Sequence, residues 1–186
     1  YSPPSWYNNF MPNYRRLFID GSYLFITIVT YQKRHILIDN INPLRQAFKD
    51  AKEIYKFEIY ASVILPNHIH LILIPDNIKE YPKIIRAIKY NFSKSLNDGG
   101  IAIPPYEKAY KKNIWQPRYW EHTLKDENDL YKHLNYIHYN PIKHGFVKSA
   151  KDWEFSSFDK FVKMGYYEKN WYCEENFDEI SVRDLE

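Results

Sequence analysis

The alternation of apolar and polar positions divides the chain into short segments of two kinds. Residues 22–31 (SYLFITIVTY) are rich in β-branched and aromatic side chains and predict a first strand. From Asn42-Pro43 onward, Leu44, Ala47, Phe48, Ala51 and the pair Ile54/Tyr55 recur at the spacing of one buried helical face. Residues 57–65 and 68–74 predict two more strands, and the Pro66-Asn67 step between them forms a tight connection, so this pair should be an antiparallel hairpin. A second helix over 81–96 places Ile84, Ile85, Ile88 and Phe92 inward, leaves Lys83, Arg86, Lys89 and Lys94 largely outward, and stops at Asp98-Gly99-Gly100. Residues 101–113 read as a loop and 119–124 as a fourth strand. A third helix begins around Asp126 or Glu127, whose acids suit a helix N-terminus, and runs to the neighbourhood of Asn140, where Pro141 bends or ends it. The order β-α-β-β-α-β followed by a helix predicts an α+β fold, a ferredoxin-like or RRM-like antiparallel sheet with an added C-terminal helix.

Composition narrows the class of protein. The chain has 186 residues, 45% hydrophobic and 26% charged, which fits one domain with short extensions. Residues 1–13 hold three prolines and read as an arm, 14–162 as the domain, and 163–186 as a C-terminal extension. Aromatic residues reach 18%, which excludes a disordered or low-complexity chain. No apolar run approaches the roughly 20 residues that a membrane-spanning helix needs. A single cysteine, Cys173, leaves no internal disulfide and no thiolate metal cluster, which points to a reducing, cytoplasmic setting. The net charge of +3 conceals an asymmetry, because residues 174–186 carry −5 and the rest of the chain +8. A body of that sign suits a polyanion such as nucleic acid, although a soluble basic surface is the ordinary alternative.

The segment LPNHIHLIL (65–73) carries the most chemical information. Side chains alternate across a strand, so His68 and His70 leave the same face while Ile69 and Leu71 go to the other. Two imidazoles at one point suit a divalent cation, with room for a further protein ligand and substrate oxygens. In Asn135-Tyr136-Ile137-His138-Tyr139-Asn140-Pro141, Tyr136 and Asn140 stand one turn apart on one helical face. If that face turns toward His68 and His70, Asn140 is placed as a third ligand and Tyr136 beside a metal-bound phosphate. Tyr139 competes for the second role, but it lies about 300° around the helix from Tyr136, and only one of them can face the metal well.

Three segments together, LPNHIHLIL, NIWQPRYWEHTLKDENDL (113–130) and NYIHYNPIKHGFVKSAKDWEFSSF (135–158), resemble the REP-associated tyrosine transposases. These are a branch of the single-tyrosine HUH transposases of the insertion-sequence 200/605 group, and the likeness runs from about Tyr14 to about Phe161. The resemblance implies His68 and His70 as metal ligands, Tyr136 as nucleophile, and Asn140 as a further polar ligand where the wider group more often has Gln. It also implies Mg²⁺ or Mn²⁺ as cofactor and single-stranded hairpin DNA as partner, namely REP palindromes with a flanking tetranucleotide. The expected reaction is endonucleolytic cleavage and strand transfer through a 5′-phosphotyrosine link and a free 3′-OH, which needs no external energy source. The wider group tends to dimerise, and neither a homodimer nor a monomer is fixed by the sequence.

Candidate DNA contacts are Arg15, Arg16, Lys83, Arg86, Lys89, Lys111, Lys112 and Arg118, each of which is otherwise an ordinary solvated charge. His122 is a candidate support for a ligand or a phosphate, with a buried structural histidine as the alternative. Two readings compete with the enzyme. One is a hairpin-binding protein derived from such a transposase but without catalysis. The other is an RNA-binding sheet of the RRM kind, which lacks the expected aromatic pattern on its central strands.

Overall fold

The computed structural model describes residues 21–98 and 114–172. Four strands, β1 (Leu24–Val29), β2 (Phe57–Ile64), β3 (His68–Pro75) and β4 (Trp120–Thr123), form one sheet in the order β2-β3-β1-β4. Every pair is antiparallel. With α1 (Ile41–Ile54) between β1 and β2, and α2 (Tyr81–Asp98) between β3 and β4, this is the split βαβ arrangement that the sequence pattern predicts. The β2–β3 hairpin closes through Leu65 N–H donating to the His68 carbonyl at 2.9 Å.

Helices cover both faces of the sheet, which is why β1 is buried at all six positions. Leu24, Ile26 and Ile28 of β1 and Ile69, Leu71 and Leu73 of β3 pack with Leu44 and Ala47 of α1 and Ile84, Ile85 and Ile88 of α2. The opposite face carries Phe25 and Ile72, which pack against α3 (Glu127–Lys143) and α4 (Phe158–Lys163). The six-residue α4 contributes Phe158 and Phe161 to that core, and Tyr167 and Trp171 join it. The packed body therefore continues beyond residue 162. Residues 155–157 run along the outer edge of β2, where Ile64 N–H donates to Phe155 O and Ser157 N–H to Ser62 O, both at 2.8 Å. Covering an edge in this way removes a row of backbone groups that would otherwise recruit another strand.

The end of α3 differs from the sequence expectation. Pro141 lies inside the helix, which continues to Lys143. Its missing N–H removes one hydrogen bond only two residues before the end, where few turns depend on it. The actual stop is Gly145, whose φ of +72° is the left-handed conformation that favours glycine. Gly145 N–H donates to Ile142 O at 2.9 Å and Phe146 N–H to Pro141 O at 3.0 Å, the paired bonds of a Schellman motif.

Candidate active site

His68 and His70 emerge from β3 toward α3, both buried, with ring centroids 4.8 Å apart. Their orientation is set by neighbours on the sheet. Thr27 stands opposite His70 in the β1–β3 register, and its hydroxyl lies 2.8 Å from His70 Nδ1. His68 Nδ1 donates to Asn67 Oδ1 at 2.6 Å, which fixes the tautomer with the lone pair on Nε2. Both rings thus engage Nδ1 locally and turn Nε2 to the interior, the usual preparation of a ligating imidazole.

From the other side, α3 presents His133, Tyr136 and Asn140 along one face, and all three are buried. The Tyr136 ring meets that of His70 edge-on at 5.2 Å and that of Phe25 at 6.0 Å. Tyr136 thus faces His70 of its own chain. Tyr139 leaves α3 in another direction and packs edge-on against Tyr172 at 5.9 Å. Asn140, one turn beyond Tyr136, has no exposed surface, and neither Oδ1 nor Nδ2 has a hydrogen-bond partner among the described residues.

Two residues absent from the sequence-based candidates belong to the same place. Lys143 Nζ donates to the Tyr136 hydroxyl at 3.1 Å and sits 4.8 Å from the centre of its ring. The His144 ring lies 5.3 Å from that of His68. The spacing of Tyr136 and Lys143, two turns on one helix, is a signal the sequence holds. It is hidden when the helix is ended at Pro141.

His122 lies on β4, on the same sheet face, and its Nε2 is 2.8 Å from Asp129 Oδ2. Asp129 also accepts from Lys125 N–H at 3.0 Å and holds His133 Nδ1 at 3.0 Å. Burial pushes the Asp129 carboxyl up, but the hydrogen bonds from Lys125 and His122 and the nearby imidazoles outweigh it and hold it below its ordinary value. Burial pushes His133 down, against the raising effect of its bonds to Asp129. The ligand atoms of His122, Asp129 and His133 lie within 4.8 Å of one another, a spacing a metal ion would accept. Each is already bonded to another member of the group, so the cluster closes on itself and braces β4 against the first turns of α3.

Of the candidate DNA contacts, Arg15, Arg16, Lys111 and Lys112 lie outside the described residues. Lys83, Arg86 and Lys89 ride on α2, across the sheet from the histidines. Lys83 pairs with Glu80 at 3.5 Å, and Lys89 donates to Gln116 O at 2.8 Å with its ammonium pushed below the ordinary value by burial. Arg118 is exposed just before β4. Trp115 is buried, and Trp120 packs edge-on against Phe25 at 5.6 Å, so both pack the sheet.

The family described as Transposase IS200 like matches residues 18–140. A REP-associated tyrosine transposase from Escherichia coli K12 is 37% identical over 163 residues, covering 87% of this chain and 91% of its own. A relative of that kind from Haemophilus influenzae is 42% identical over 164 residues, covering 87% and 93%. Among solved structures, a REP-associated tyrosine transposase bound to a REP hairpin superimposes with a TM-score of 0.77 at 34% identity, covering 90% of this chain and 96% of its own. Among the described residues no helix is long and apolar enough to cross a membrane. With the fold, the strand carrying His68 and His70, and the helix carrying Tyr136 all in place, the chain belongs to the IS200-like transposases, in the branch of the REP-associated tyrosine transposases.

Proposed function

We propose that the protein is a metal-dependent endonuclease and strand transferase for single-stranded DNA bearing REP-type hairpins. Tyr136 is the nucleophile, and His68, His70 and Asn140 hold a Mg²⁺ or Mn²⁺ ion. The observation that carries this reading is the Tyr136 ring packed 5.2 Å from that of His70 inside one buried site. The donor set suits such an ion. Two imidazoles have Nδ1 engaged, and a buried amide has no hydrogen-bond partner at either polar atom among the described residues. An unsatisfied buried amide is rare in native structures and calls for an ion or a water. When bound, the ion polarises the scissile phosphate and offsets its charge.

The remaining work falls to side chains of this chain. The walls formed by Phe25 and His70 hold the Tyr136 ring edge-on, which limits where its hydroxyl can point. Attack by the hydroxyl oxygen forms an O–P bond and releases the 3′-oxygen, leaving the 5′ end on Tyr136. The phosphotyrosine keeps the bond energy, so a 3′-OH can later attack it and rejoin DNA. That a solved relative is bound to a REP hairpin supports hairpin DNA as the partner. In this reading a flanking tetranucleotide helps to define the cut. Exposed Arg118 and the basic body would meet phosphates, and the cytoplasmic nucleoid is where such a substrate resides. One chain can bring the tyrosine and both histidines together, and a homodimer and a monomer are both compatible with that.

Incubation with a REP-type hairpin oligonucleotide and Mn²⁺ should give a covalent adduct on a denaturing gel, and Tyr136→Phe should abolish it. An adduct that persists in that variant removes Tyr136 from the role. Tight hairpin binding with no metal-dependent cleavage by the wild-type chain would instead identify a binding protein.

A further inference from the structure

We propose that Lys143 is a second catalytic residue, a cation that holds the attacking oxygen of Tyr136 and neutralises charge on the phosphate it attacks. This rests on Tyr136 being the nucleophile. Lys143 Nζ is 3.1 Å from the Tyr136 hydroxyl and 4.8 Å from its ring centre, so one ammonium both hydrogen-bonds the reacting atom and lies against the ring that carries it. The two residues sit seven apart on α3, and the helix must run through Pro141 for them to align. The Schellman turn at Gly145 ends it directly afterwards, placing Lys143 in the last turn. A lysine there also suits the helix dipole, which is the ordinary reason for its presence. The dipole does not call for a bond to a buried hydroxyl, however, and Tyr136 is only 1% exposed while Lys143 is an exposed residue. The lysine therefore stands at the solvent end of the site, where a strand must enter.

The chemistry gives that position a purpose. As the Tyr136 oxygen bonds to phosphorus, negative charge builds on the non-bridging oxygens, which then lie within a few ångströms of the attacking oxygen and so of the ammonium. The phenolic proton passes to water, the O–P bond forms, the P–O3′ bond breaks, and the 3′-oxygen takes a proton from water. In the reverse direction the 3′-OH attacks, and the same ammonium stabilises the departing tyrosine oxygen. Removing a preorganised donor of this kind lowers the rate by roughly 100- to 1,000-fold.

The test uses the full chain, a REP-type hairpin oligonucleotide with a single-stranded flank, and Mn²⁺. Single-turnover cleavage at saturating DNA is measured for wild type, Lys143→Gln and Lys143→Arg, and hairpin affinity is measured for the same substitutions in a Tyr136→Phe background. Lys143→Gln should cleave about 100-fold more slowly while its affinity changes less than about threefold, and Lys143→Arg should retain more activity than Lys143→Gln. On an oligonucleotide whose scissile phosphate is a neutral methylphosphonate, the gap between wild type and Lys143→Gln should shrink to less than about fivefold, because replacing one non-bridging oxygen by methyl leaves one unit less negative charge to be neutralised. An unchanged rate, a loss explained wholly by affinity, or an equal gap on the neutral substrate overturns the role of Lys143. An adduct surviving Tyr136→Phe overturns the nucleophile instead, so the two failures are distinct. Should Lys143→Gln fail to fold, Lys143→Met on the charged and neutral substrates gives the same comparison.

Discussion

Asn140 states the compromise of the site in one side chain. Its amide is fully buried without a hydrogen bond among the described residues, a condition that costs about 1–3 kcal/mol for each unsatisfied group. Asn140→Ala should therefore leave the urea midpoint of the metal-free protein unchanged or raised, while weakening Mn²⁺ binding at least tenfold by calorimetric titration. A loss of more than about 1 kcal/mol in the metal-free protein would mean that the amide is satisfied in solution. Thr27 tests the other side of the site. Thr27→Val preserves the shape but removes the partner of His70 Nδ1, and Mn²⁺ affinity should fall roughly 10-fold or more. That His68 and His70 share one face was legible from strand alternation, and that Tyr136 and Asn140 share another from helical spacing, whereas their roles were implied only by the family resemblance. Thr27 was not legible, because its role depends on the β1–β3 register, which joins positions 43 apart in the chain.

At the scale of elements, α3 shows what pattern reading gains and misses. Asp126 caps its start by accepting from Asp129 N–H at 2.8 Å, as the acids near that point lead one to expect. The proline rule placed the end too early, and the glycine four residues later marked the true end. Gly145→Ala should cost about 1 kcal/mol in urea unfolding by forcing a Cβ into the left-handed region, where no neighbouring atom would obstruct it. α4 and the strand-like 155–157 were not anticipated, since six residues and a few backbone bonds are too short to leave a period. They matter to α3 through His138, whose Nε2 is 2.8 Å from Ser157 Oγ and whose Nδ1 is 3.2 Å from the Tyr167 hydroxyl. Tyr167 donates to Asn135 Oδ1 and Ser157 accepts from Ser62 N–H, so the imidazole is neutral with its proton on Nδ1. Burial lowers its pKa to about 3. The folded state thus favours the neutral form, so this contribution is complete above about pH 6.5 and is lost as pH falls toward 3, at about 1.4 kcal/mol per pH unit. Urea midpoints at pH 7, 6 and 5 should fall more steeply for wild type than for His138→Gln, and parallel slopes would count against this account.

For the molecule as a whole, the sheet separates stability from chemistry, with the aliphatic row of β3 in one core and its histidine row in the other layer. Charge is divided along the chain as well. Removing residues 174–186 changes the net charge from +3 to +8 and should tighten non-specific binding to single-stranded DNA, with the difference between the two chains closing as salt rises toward roughly 0.3 M. A filter-binding series with equal affinities at low salt would show that the tail does not reach the binding surface. Finally, α3 is fastened along its length, by Asp129 to His122 near its start and by His138 to Ser157 and Tyr167 further on. The nucleophile is thus a fixed post rather than an arm. Under the proposed chemistry, a DNA end captured on Tyr136 stays where it was cut, and the end that will replace its partner must travel to it. A hairpin that keeps both ends within reach then acts as a tether, setting the local concentration of the returning 3′-OH and thereby which joints are made.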